Sequence, residues 1–108
     1  MTNKTYRLQY LPLFYDDLNH VILYISNVLH NRNAATKLLD SVEKAIQERL
    51  YMPEAFEPYK SCKERESVYY RIYVENFIIF YVVMEDGDEK IMEIRRFLNR
   101  KQDIKLNV

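Results

Sequence analysis

The scarce residues set the first limits on this chain. Its 108 residues include one glycine, three prolines, one cysteine and no tryptophan. So little glycine and proline excludes a collagen-like chain, low-complexity tracts and a long flexible linker, and nearly everything should be ordered. With Cys62 alone, no intrachain disulfide can form, which agrees with a reducing compartment. No segment approaches the roughly 20 apolar residues needed to cross a bilayer. The opening MTNKTYRLQY lacks a basic stretch followed by an apolar run. We therefore expect a soluble, cytoplasmic protein that is not exported and has no membrane partner.

Net charge is also absent, because sixteen basic residues balance sixteen acidic ones. The molecule as a whole thus lacks the positive field of a general nucleic-acid binder. The charge is unevenly spread, however. Residues 60–74 carry four positive and two negative charges, residues 75–89 none and five, and residues 90–108 six and two. Positive charge gathers in the 60–74 stretch and the C-terminal segment.

What is present in quantity is apolar and aromatic material, 48% of the chain, enough for one core in a single domain spanning residues 1–108. Tyr6, Leu8 and Tyr10 alternate with Arg7 and Gln9, which predicts a first strand over 5–10 with one buried face. Pro12 suits the first turn of a helix, and Asp16 and Asp17 suit its positive end. Phe14, Leu18, Val21, Ile22, Ile25, Val28 and Leu29 recur at helical spacing, so helix one should run over about 12–30. HNRN at 30–33 supplies turn and N-cap residues. Ala35, Leu38, Leu39, Val42, Ile46 and Leu50 then form a second apolar stripe that ends before Pro53. So short a connection implies an antiparallel helical hairpin.

The segment from Pro53 to about Ser67 has no clean period and reads as a surface loop. SVYYRIYV, NFIIFYVVM and EKIMEIRRF are rich in β-branched and aromatic residues, with turns at 75–76 and 85–88, and predict a three-stranded antiparallel meander. The expected fold is α+β: an N-terminal strand, the helical hairpin, then the meander, together forming an antiparallel sheet of about four strands. In the middle strand both alternations are apolar, with Phe77, Ile79, Tyr81 and Val83 on one and Ile78, Phe80, Val82 and Met84 on the other. A single hairpin covers one face only. The other requires aromatic packing, the C-terminal segment or a second chain.

This order of elements resembles the RelE/ParE superfamily of toxins from type II toxin–antitoxin systems, over nearly the whole chain. DDLNHVILYI is similar to that family's first helix, and AATKLLDSVEKAIQERLYMP to its second helix with the proline that follows. YYRIYVENFIIFYVV resembles its paired central strands, and IMEIRRFLNRKQD its last strand and basic tail. The resemblance implies a growth-inhibiting toxin neutralised by a cognate antitoxin and requiring no cofactor. Its target would be DNA gyrase, as for ParE-like members, or the ribosome with its mRNA, as for RelE-like endoribonucleases. A binding-only member that has lost toxicity is a further alternative. The long hairpin leans toward the ParE side. RelE-like members usually carry an arginine early in the central strand, where this chain has Ile78, and a histidine near the last turn, where it has Asn99.

RNA cleavage by 2′-hydroxyl attack needs a group to activate the nucleophile, a cation for the phosphate and an acid for the leaving oxygen. Arg65, Arg71, Arg96 and Tyr69 are the candidate catalytic residues, with Lys63 as a further cation. Arg71 shares its alternation with Tyr69 and Tyr73 inside an otherwise apolar strand. Phosphate binding fits it, and so does stacking on those tyrosines with an acid such as Glu93 as partner. Arg95, Arg96, Arg100, Lys101 and Lys105 form a cluster that could meet RNA, gyrase or an acidic antitoxin segment, or could simply be solvated. Tyr69, Tyr70 and Tyr73 could stack bases or serve as core and rim. Asp16 and His20, one helical turn apart, make too small a set for a metal site, and none is expected. His30 suits the negative end of helix one, and Cys62 has no histidine base beside it in sequence.

Overall fold

A computed structural model describes residues 6–58 and 68–103. Strand β1 (Tyr6–Tyr10) leads into helix α1 (Pro12–Leu23), a single π-helical turn (Tyr24–Val28) and helix α2 (Arg32–Arg49). Strands β2 (Tyr69–Val74), β3 (Phe77–Asp86) and β4 (Glu89–Asn99) follow, and a short helix α3 (Arg100–Asp103) closes the described chain. The four strands form one sheet in the order β1-β4-β3-β2. The α+β architecture read from the sequence is therefore the one observed. Among the described residues no helix is long and apolar enough to cross a membrane.

One pairing differs from expectation. The meander is antiparallel, but β1 pairs with β4 in parallel, Tyr6 opposite Lys90 through Tyr10 opposite Ile94. The hairpin acts as a long crossover that returns the chain to the sheet, the kind of connection parallel neighbours require. The sheet is therefore mixed.

The helical hairpin also departs from the regular stripe. Pro12 opens α1 as expected, and its N-cap, Leu11, offers no side-chain bond. Neither Asp16 nor Asp17 lies in the first turn, so they do not serve the helix's positive end. Ala34 donates its amide to Asn31 Oδ1 at 3.0 Å, so the N-cap expected in HNRN is present at the start of α2. Helix one does not run evenly to residue 30. The π turn inserts an extra residue, which slows the rotation of side chains about the axis and carries Val28 and Leu29 out to solvent, 59% and 55% exposed. His30 then takes a left-handed conformation (φ 53°), and the Leu29 and Asn31 amides bond back to the Tyr24 and Ile25 carbonyls.

The core lies between the hairpin and one sheet face. Phe14, Leu18, Leu38, Val42 and Ile46 pack against Tyr70, Ile72, Val74, Ile79, Tyr81, Met92, Ile94 and Phe97. On the opposite face Ile78, Phe80 and Leu98 form a second buried cluster, with Tyr69 packed against it. A bulge at Arg95 makes this possible, since Tyr81 faces Ile94 while Phe80 faces Arg96. Without the extra residue Phe97 and Leu98 would exchange faces.

Candidate functional site

The strand register sets out the face away from the helices, here called the open face, as rows running across the sheet. One row is Gln9, Glu93, Val82 and Tyr69; the next is Arg96, Phe80 and Arg71; the third is Leu98, Ile78 and Tyr73. Tyr69, Arg71 and Arg96 thus share a face, and two strand spacings put the Arg71 and Arg96 backbones about 10 Å apart. Arg65, Lys63, Cys62 and Lys105 lie outside the described residues.

Each row has its own chemistry. In the first, Glu93 is buried at 5% exposure. It accepts hydrogen bonds from Gln9 Nε2 and, at 2.8 Å, from Arg95 Nε. Arg95 continues across Val82 to donate to the Tyr69 hydroxyl at 3.0 Å, its guanidinium 5.6 Å from that ring's centroid. Burial lowers the Arg95 pKa, but the bonds to Tyr69 and Glu93 outweigh it and raise the pKa overall. A buried carboxylate is thereby neutralised and hydrogen-bonded, as burial of a charge demands. The acid considered as a partner for Arg71 is bonded to Arg95 and Gln9.

In the second row Arg96 reaches sideways rather than over the face. Its Nε and Nη2 donate to the two carboxylate oxygens of Asp17 at 2.7 and 3.1 Å. Asp17 also accepts the Phe97 amide at 3.0 Å. Strand β1 pairs with β4 only as far as Ile94, so the Phe97 amide would otherwise face an unpaired edge. The Asp17 hydrogen bond raises the Arg96 pKa despite burial. The pair therefore joins α1 to the sheet.

The third row ends in an exposed corner. The Arg71 guanidinium carbon lies 5.6 Å from the Tyr73 ring centroid and that of Arg100 lies 5.0 Å from it. The Arg100 amide donates to the Asn76 carbonyl at 2.9 Å, which fixes the start of α3 on the β2–β3 turn. Asn99, at the position where a histidine was considered, accepts the Lys101 amide at 2.9 Å. Ile78, at the position where RelE-like members usually carry an arginine, is 2% exposed.

Several residues that the sequence reading missed hold this frame from beneath. Arg49 donates to the Arg71 carbonyl at 3.0 Å and to the Tyr81 hydroxyl at 2.9 Å, with its guanidinium 3.5 Å over the Phe56 ring. Tyr81 donates to the Pro53 carbonyl, and burial raises its pKa against the opposing effect of Arg49. Glu54 accepts from Tyr6 and Lys90 at 2.8 and 2.6 Å. The Pro53 loop is thus bonded to β1, β3 and β4, and through Arg49 to β2. Only the burial of Tyr81 inside an apolar strand hinted at such a partner, since a buried tyrosine hydroxyl needs one.

His20 and Asp16 are exposed on α1 and His30 lies at the hairpin connection. Among the described residues no group of three or more histidine, cysteine or acidic side chains is arranged to hold a metal ion.

Comparison with known proteins agrees with this architecture. None of the curated proteins matches the chain. Among solved structures, a YoeB/ParE toxin from Agrobacterium tumefaciens superposes with a TM-score of 0.56 at 16% identity, covering 86% of this chain and 97% of that one. At that identity the likeness carries the fold alone. The sequence pattern described as "ParE toxin of type II toxin-antitoxin system, parDE" matches residues 8–104, from within β1 to just past α3. The chain belongs to the ParE family of toxins of type II toxin–antitoxin systems.

Proposed function

We propose that this chain arrests growth by binding DNA gyrase, without cutting RNA, and is neutralised by a cognate antitoxin. The observation that carries this reading is the commitment of Arg96 to Asp17, because that arginine is one of the candidate cations for stabilising a phosphate in RNA cleavage. Two further features agree with it. Ile78 packs with Phe80 and Leu98 inside a buried cluster, and the chain's two histidines, His20 and His30, belong to the hairpin. An antitoxin partner is implied by the family. Its segment would dock on the apolar side chains that the hairpin leaves exposed, Leu23, Tyr24, Val28 and Leu29, all above half exposure.

Two assays on the induced chain test the target. Inhibition of gyrase supercoiling by the purified protein, with messages intact by primer extension, is the expected result. Ribosome-dependent cleavage of messages with supercoiling unaffected would replace this reading with an endoribonuclease acting through Tyr69, Arg71 and Arg65. For the antitoxin, Leu23→Asp with Val28→Asp should abolish co-purification of the small partner while leaving the fold intact.

A further inference from the structure

The loop after α2 carries two side chains that neither the core nor the hairpin tip accounts for. Tyr51 is 83% and Met52 62% exposed, the highest values for large apolar residues among those described. Their backbone is nonetheless fixed. The Met52 amide donates to the Arg49 carbonyl at 3.0 Å, and the Ala55 amide to the Met52 carbonyl at 3.2 Å. Pro53 is buried and accepts the Tyr81 hydroxyl, while Glu54 accepts from Tyr6 and Lys90. An aromatic ring and a thioether thus face solvent on a loop that is already ordered, so little conformational freedom remains to be lost on binding.

Beside them lies an open groove of about 450 Å³, lined by Lys44, Gln47, Glu48, Leu50 and Tyr51. Leu50 and the Tyr51 ring suit the aliphatic stem of a basic side chain, and the ring face and the Glu48 carboxylate suit its cationic head. The groove also adjoins the negative end of the α2 dipole. Arg49, the cation of the last turn, is turned inward to the Arg71 carbonyl and the Tyr81 hydroxyl. Neither Lys44 nor Glu48 makes an ion pair with a described residue. With Glu54 paired to Lys90, the exposed charges left between residues 43 and 57 are Glu43, Glu48 and Glu57 against Lys44.

Resting on the gyrase reading, we propose that Tyr51, Met52 and the Glu48 groove form the surface that meets that enzyme, with an arginine or lysine of its basic surface seated in the groove. An enzyme that handles DNA carries arginines and lysines for the phosphates, so it complements this loop in charge. Nucleic acid itself would be repelled by the same acids. A second copy of the chain would set Glu43 and Glu48 against their own likeness across a two-fold axis. The 18 residues of α2 hold the loop about 27 Å from the hairpin tip, so the antitoxin surface there is separate.

The test is inhibition of gyrase supercoiling by the purified full-length chain. Tyr51→Ala should raise the concentration needed for half-inhibition about tenfold. Glu48→Lys should raise it by a similar factor, and Lys44→Glu should lower it. Asp88→Asn, which removes a negative charge at the distant β3–β4 turn, should leave it unchanged. Thermal melts establish that each variant is folded, and the opposite responses at Glu48 and Lys44 stand on their own if Tyr51→Ala proves unstable. Inhibition by the wild-type chain that neither the aromatic nor the charge changes alter, or that only one kind alters, overturns the proposal and leaves the gyrase reading standing. A wild-type chain that does not inhibit supercoiling overturns both. Loss of antitoxin co-purification, or of a dimer in sedimentation, on Tyr51→Ala with inhibition intact gives the loop to that partner and also overturns the proposal.

Discussion

Beneath the helices, Phe14, Leu38, Val42 and Ile46 interlock with Ile79, Tyr81, Ile94 and Phe97, and the buried hydroxyl of Tyr81 is satisfied by Pro53 and Arg49. On the opposite side of the same strands a small apolar cluster, Ile78, Phe80 and Leu98, is framed by Glu93, Arg95, Arg96, Tyr69 and Tyr73. Stability should therefore reside mainly in the first face, where burial is wide and shape-matched, and less in the second, where charge and aromatic rims reach solvent. The polar groups of the open face that are buried, Glu93 above all, still serve the fold.

The largest difference between the faces should appear on truncation. Phe14→Ala is expected to cost about 3–5 kcal/mol, and Tyr73→Ala less than about 0.5 kcal/mol, in urea unfolding. Comparable losses would break the comparison by showing that the open face carries the fold as well. Next in size is the joint between the faces. Asp17→Ala removes both the Arg96 pair and the acceptor of the Phe97 amide, for an expected cost of about 1–3 kcal/mol. In a double-mutant cycle with Arg96→Ala the two losses should fall short of additivity by at least about 0.5 kcal/mol. Variants that remain folded should still arrest growth, whereas an Arg96 required for cleavage would abolish arrest even in folded protein.

Tyr81→Phe sharpens the view of the helix-covered face. It strips partners from the Pro53 carbonyl and from Arg49, at about 1–2 kcal/mol. Burial raises the pKa of Tyr81, and also of Tyr6, Tyr10 and Tyr70, above the ordinary value of 10.0. A group whose folded pKa is raised binds its proton more tightly when folded. Its contribution is therefore complete below the unfolded pKa and is lost as the pH rises through the folded one. Stability should thus hold to about pH 10 and decline above it. The decline should be shallower in Tyr81→Phe, and a melting temperature equally flat in both proteins would remove burial as the cause. The smallest effect is expected at the β2–β3 turn. Glu75 holds a positive φ of 53°, which asparagine tolerates better, so Glu75→Asn should raise stability by up to about 1 kcal/mol.

The sequence by itself determined the elements and their faces, because the relevant signals are local. Alternation in YRLQY and in the three later strands, the stripe from Ala35 to Leu50, the N-cap offered within HNRN and the turn residues at 75–76 and 85–88, of which Gly87 and Asp88 lie between the strands, all act between near neighbours. It also determined that Arg71 would share a face with Tyr69 and Tyr73, since strand alternation has a period of two. Only the tertiary structure decided where charge met charge. Nothing local separates Arg95 from Arg96, yet the bulge at Arg95 sends one to Glu93 and Tyr69 on the open face and the other to Asp17, 79 residues away. Asp17 looked like a residue for the positive end of α1, but the pairing of β1 with β4 ends at Ile94 and leaves the edge of β4 beside Asp17 to be capped. The π turn that exposes Val28 and Leu29, and the parallel pairing of β1, likewise depend on packing over the whole sheet. Hydrogen-bond partners far apart in sequence meet only after the chain has folded, and a one-residue insertion in a strand or helix redirects every side chain beyond it.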